Sequence, residues 1–159
     1  MRCATTLAVC AVASLTLGGC GIDEKRFDGV YRSGKALEAA VDSGVTLLHY
    51  RELIQAFDTE VSIVNDRARG RAEKELVDKY EAAAQSYHHA LLVWRLKVDG
   101  ESDWIYSGPT LDKALAEYTI KWEGSSDLKR ASVEASLPII WAVAKVKLAT
   151  ANDVLNGKK

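Results

Sequence analysis

"LPIIWAVAKVKLATANDVL", residues 137–155, carries apolar side chains all round a helical wheel, and how its faces are satisfied decides the fold. At 100° per residue Ile139, Ala142, Val146 and Ala149 form one stripe. Leu137, Trp141, Ala144, Leu148 and Ala151 form a second, nearly opposite. Lys145 and Lys147 fall on the flanks between them, where long stems carry the ammonium groups outward. An ordinary bundle helix buries one face, so two apolar faces need two neighbours. Either this helix lies in the middle of its own domain or one face meets another chain. Pro138 removes a backbone hydrogen bond and crowds the preceding turn, which predicts a kink.

Three more helices are expected upstream. Between Phe27 and Asp66 the residues Ala36, Ala40, Ser43, Leu47, Tyr50, Ile54, Phe57, Val61 and Val64 step by three and four, the signature of a long first helix. Ser33-Gly34 and Ser43-Gly44 place small residues beside that stripe, where another element can approach closely. "NDRARGR", 65–71, reads as the connection, its basic residues either solvated in a turn, the reading preferred, or able to bind an anion. The second helix, Ala72 to Val98, sets Leu76, Tyr80, Ala83, Tyr87, Leu91, Trp94 and Val98 on one face, and its end, "ALLVWRL" (90–96), needs cover on more than one side. "DGESDWIYSGP", 99–109, is a loop by composition, its Trp104, Ile105 and Tyr106 either plugging one end of the bundle or forming an exposed aromatic patch. The third helix is expected from Thr110 to Glu123. The fourth is expected from Asp127 to Leu155, capped by Ser126 and divided at Pro138 into 127–137 and 139–155. The fold class is therefore all-α, a mainly antiparallel four-helix bundle with long first and second helices and a bent last one.

The amino terminus has a different character. Residues 3–17 are uncharged, follow Arg2, and are too few to span a bilayer, the layout of a secretory signal. Leu17-Gly18-Gly19-Cys20 resembles the lipobox of bacterial lipoprotein precursors. The resemblance covers only the first 20 residues and implies that 1–19 are removed and that Cys20 is lipidated as the new amino terminus. Residues 20–26 then form the anchor and a brief tether, and 27–159 a single helical domain. Gly21 stands where an Asp would favour inner-membrane retention, which by the same resemblance implies the outer membrane, facing the periplasm. Cys3 and Cys10 are lost with the leader, so no internal disulfide is available.

With 21 basic and 22 acidic residues the formal net charge is −1, becoming −2 when Arg2 is lost with the leader. Neither nucleic-acid binding nor a strongly basic membrane surface follows from that balance. The chemistry-bearing residues form no recognisable constellation. His49 and Glu52 share one exposed helical face, too few ligands for a metal site. His88 and His89 diverge by about 100° on a helix. Gln85-Ser86-Tyr87-His88 lacks the carboxylate of a di-iron Glu-x-x-His pair. The chain has no Cys-x-x-Cys-His, no methionine beyond Met1, no phosphate loop and no Gly-x-Ser-x-Gly.

These features predict a non-catalytic protein with no cofactor beyond the lipid on Cys20, acting by contact with a protein partner or a second copy of itself. The expected interaction face comprises Leu137, Trp141 and Leu148, with Trp104 and Tyr106 from the loop. The alternative is a bundle holding an apolar small molecule or lipid among Tyr87, Trp94, Trp122 and Trp141.

Overall fold

The computed structural model describes residues 22–100, 102–125 and 128–158; the leader, Cys20 and the cap expected at Ser126 lie outside them. The chain is mostly helical, with helices α1 (Glu24–Ser43), α2 (Leu47–Arg67), α3 (Gly70–Gly100), α4 (Pro109–Leu115) and α5 (Val133–Leu155). Strands β1 (Trp104–Tyr106), β2 (Glu123–Ser125) and β3 (Leu128–Ser132) add a small antiparallel sheet of order β1-β3-β2.

The long first helix is corrected to two. Gly44 takes φ +87°, a left-handed conformation that ends α1, and Thr46 caps α2 by accepting the His49 N–H at 3.3 Å. The two helices then fold back on each other. Arg26 donates to the Arg67 carbonyl at 3.5 Å, so the start of α1 meets the end of α2. The apolar periodicity survives this reversal because Phe27, Val30 and Leu37 on α1 and Tyr50, Ile54, Phe57, Val61 and Val64 on α2 enter the same core.

The α3–α5 pairing is the most extensive in the molecule. Trp141 and Trp94 meet edge to face at 5.6 Å near one end, and Tyr80 donates to Asn152 at 2.9 Å near the other, so α5 runs antiparallel to α3. On its α1 side, Leu148 lies where a side chain on Gly34 would stand. A Cβ there would come 2.8 Å from a Leu148 methyl and 3.2 Å from the Phe57 ring, so this position stays a glycine. The second stripe of α5 is thus core: Leu137, Ala144, Leu148 and Ala151 are buried, while Ala142, Val146 and Ala149 face out. The helix has its two neighbours within the chain, α3 and α1.

The remaining expectations change more. Residues 128–132 form β3, so the last helix starts at Val133, capped by Ser132, and Pro138 falls in its second turn instead of dividing it. The expected third helix ends at Leu115, and 123–125 is extended. Trp104–Tyr106 pairs with Arg130–Ser132 in β3. The physical reason is a length mismatch. At 1.5 Å per residue α3 is about 46 Å long while α1, α2 and α5 reach only about 30–35 Å, so the end of α3 outruns its partners. Residues 102–125 and 128–132 cover that overhang, inserting Ile105 and Leu115 into the core.

At the other end Glu73, 4% exposed, is a hub. Its carboxylate accepts the Arg69 N–H at 2.5 Å and the Asp23 N–H at 3.4 Å and pairs with Arg26 at 2.5 Å. It caps α3 and ties the first described residues to the α2–α3 turn. Burial pushes its carboxyl up, but the two backbone N–H groups and the Arg26 guanidinium outweigh burial and hold it below the usual carboxylate range.

Two outcomes follow. Leu148→Ala, which empties the space over Gly34, lowers unfolding free energy by about 2–5 kcal/mol in urea titrations. Glu73→Gln destabilises by about 1–3 kcal/mol at neutral pH. Because the folded carboxyl is depressed, the wild-type advantage is present above the ordinary carboxylate range and shrinks as pH falls through it, which denaturant midpoints across that range measure.

Candidate functional site

Where 101–132 wraps the end of α3 the cover is incomplete. Leu92 and Leu96, one helical turn apart, remain 39% and 38% exposed, and β1 and the first turn of α4 face them across a groove of about 460 Å³. Its walls are Leu92, Leu96, Trp104, Ile105, Tyr106 and Leu111, with Gly100, Ser102 and Thr110 at the edges. Among the described residues no carboxylate, ammonium or guanidinium lines it.

The aromatic segment divides between both readings offered for it. Ile105 plugs the core, Trp104 is half-buried with the Arg130 guanidinium 4.0 Å from its ring centre, and Tyr106 stands 49% exposed. Bonds from Val133 N–H to the Asp103 carbonyl and from Ser107 N–H to the Lys129 carbonyl turn residues 103, 105 and 107 toward β3. By alternation the backbone of Trp104 and Tyr106 points to the free edge. Ser102 covers half of that edge: its hydroxyl accepts the Trp104 N–H at 3.1 Å and donates to the Trp104 carbonyl at 3.2 Å. The groove therefore offers side chains for recognition more than a strand edge.

The expected interaction residues separate accordingly. Trp104 and Tyr106 line the groove. Leu137 and Leu148 are buried, which removes them from any docking surface, and Trp141 is half-buried in a three-ring cluster with Tyr50 and Trp94. Trp141 Nε1 donates to the Tyr50 hydroxyl at 3.0 Å, which donates to the Tyr87 carbonyl at 3.0 Å. Of the rings expected to surround an apolar ligand, Trp94 and Trp141 pack against each other and Tyr87 packs edge-on against Phe57. Sequence reasoning missed Leu92, Leu96 and Leu111 as groove residues. The all-round apolarity of 90–96 was the available signal.

Two of the three histidines, His88 and His89, join one element to another. His49 lies 3.3 Å from Glu52 on the exposed side of α2. His88 Nε2 meets Asp58 at 2.7 Å across the α2–α3 seam, and this hydrogen bond raises the imidazole pKa over the opposing effect of burial. His89, the more buried of the adjacent pair, is lowered by burial against the pull of Glu117. It meets the Tyr118 hydroxyl at 2.9 Å, while Lys147 donates to Glu117 at 2.5 Å and to the buried Ser86 hydroxyl at 2.9 Å. This polar cluster fastens the turn after α4 to α3 and α5. Among the described residues no three His, Cys, Asp or Glu side chains are grouped to hold a metal ion. No known protein family matches the sequence, and no characterised protein or solved structure is significantly similar to it.

The His88–Asp58 pair has a pH signature. A raised folded pKa stabilises fully below the unfolded histidine value and loses that contribution as pH rises through the folded value. Asp58→Asn is expected to lower Tm at about pH 6 and to leave it unchanged at about pH 9, where the imidazole is neutral in both proteins.

Proposed function

We propose that this chain is a four-helix bundle built from α1, α2, α3 and α5, tethered to the envelope through a lipid on Cys20, facing the periplasm from the outer membrane and working by non-catalytic protein contact. The observation that carries the reading is the groove of Leu92, Leu96, Trp104, Tyr106 and Leu111, whose described lining residues are all uncharged and mostly apolar. Its occupant in this reading is an apolar segment of another protein, or of a second copy. Tyr106 supplies an amphipathic aromatic anchor and the paired leucines a floor. A second reading, in which the groove holds an apolar small molecule or lipid chain, is favoured by its volume of about 460 Å³, within the range of small-ligand sites.

The test is photo-crosslinking in living cells with the reactive residue at Tyr106. A protein adduct that disappears on Leu96→Glu, with Tm within a few degrees of wild type, supports contact. A native mass spectrum of the purified chain distinguishes the readings: a small bound mass that Leu96→Glu removes selects the ligand. An adduct unaffected by Leu96→Glu sinks the groove as the contact site.

A further inference from the structure

The overall charge balance conceals a local one. From Arg67 to Lys74 the chain presents Arg67, Arg69, Arg71 and Lys74, all exposed, and a single carboxylate, Glu73, which is buried and neutralised by Arg26. The turn itself therefore presents a run of cationic groups, with the exposed carboxylates of Asp23, which shares Arg26 with Glu73, and Glu24 beside it on the α1 side. Only Arg71 among these four has a carboxylate partner among the described residues, Glu75 at 2.6 Å on the exposed side of α3. Asp66 flanks the turn on the α2 side.

The first described residues lie at the same turn. Asp23 bonds to Glu73, Arg26 bonds to Glu73 and to the Arg67 carbonyl, and Ile22 packs against the core. One residue separates Ile22 from Cys20, a span of at most about 7 Å between their Cα atoms. A lipid on Cys20 thus holds this pole within side-chain reach of the bilayer surface, since an arginine extends about as far as that gap. The groove sits at the opposite pole: Leu96 follows Gly70 by 26 residues along α3, a rise of about 39 Å.

We propose that the α2–α3 turn is a membrane-facing surface in which Arg67, Arg69 and Arg71 bind the phosphates of anionic phospholipids, standing the molecule on that pole and presenting the groove away from the membrane. The inference rests on the lipid-anchor reading of Cys20. Guanidinium groups suit phosphate oxygens, forming forked hydrogen bonds, and basic residues beside a membrane anchor each strengthen binding to an anionic surface by about fivefold. The anchor supplies proximity and the arginines supply orientation.

The test uses the processed chain purified from a Gram-negative host, whose mass reports acylation of Cys20 independently of everything else. A single cysteine at Asn65 beside the turn, or at Ser43 at the far end of α1, carries a fluorophore. The protein is placed in phosphatidylethanolamine vesicles with or without phosphatidylglycerol, containing a spin-labelled lipid as quencher. The expected result is severalfold stronger quenching at Asn65 than at Ser43, increased by phosphatidylglycerol and abolished when Arg67→Gln, Arg69→Gln and Arg71→Gln are combined. Replacing Arg51, Lys113 and Lys121 by Gln, away from the turn, is expected to leave the quenching unchanged. Equal quenching at the two positions, or quenching at Asn65 indifferent to lipid charge and to the arginines, overturns the orientation while the acylated mass leaves the anchor standing. An unacylated mass overturns the anchor and the orientation with it.

Discussion

Everything distinctive about this fold descends from one mismatch: α3 is half again as long as the helices it packs against. An apolar helix end projecting beyond its partners has to be covered, because each exposed leucine costs about 1.5–3 kcal/mol relative to burial. The chain covers it with a short helix and three short strands inserted between α3 and α5. That insertion contributes Ile105 and Leu115 to the core and Tyr118 to the polar cluster. It also leaves Leu92 and Leu96 half-dressed, so the groove and the architecture have one cause.

The polar interactions follow the same division of labour. At the amino-terminal pole Glu73 gathers two backbone N–H groups and a guanidinium, and along α5 the two lysines each find a carboxylate, Lys145 at Asp42 and Lys147 at Glu117. None of these groups approaches the groove. These charged groups join one element to another, while the described residues of the groove are uncharged.

The sequence disclosed the helices wherever a periodic stripe was long, and failed where structure depended on a few residues. The two faces of the last helix were visible in 137–155, and the choice between an internal and an external neighbour turned on Gly34, a hundred residues away. The stripe from Phe27 to Asp66 hid a reversal because both halves feed one core, although Ser43-Gly44 followed by Thr46 carries the stop and cap signals. The strands were illegible. Trp104–Tyr106 is too short for a period, and β3 buries only Ala131 fully. For the candidate site, Trp104 and Tyr106 were visible as aromatics in a loop, while Leu92 and Leu96 were indistinguishable from core until the length of their neighbours was known. The basic residues of the α2–α3 turn were legible in 65–71, whereas the burial of Glu73 beside them is a tertiary fact.

The insertion between α3 and α5 also sets the order in which the molecule assembles. Gly44–Thr46 and Ala68–Arg69 close the first three helices through tight turns, contacts that cost little chain entropy and form early. The α3–α5 seam must wait for residues 101–132 to be made and brought round. Leu76, Tyr80, Ala83 and Tyr87 of α3 are buried in the finished core, and α5 is one wall of it. A chain made from its amino terminus therefore closes this core only once α5 has followed the insertion.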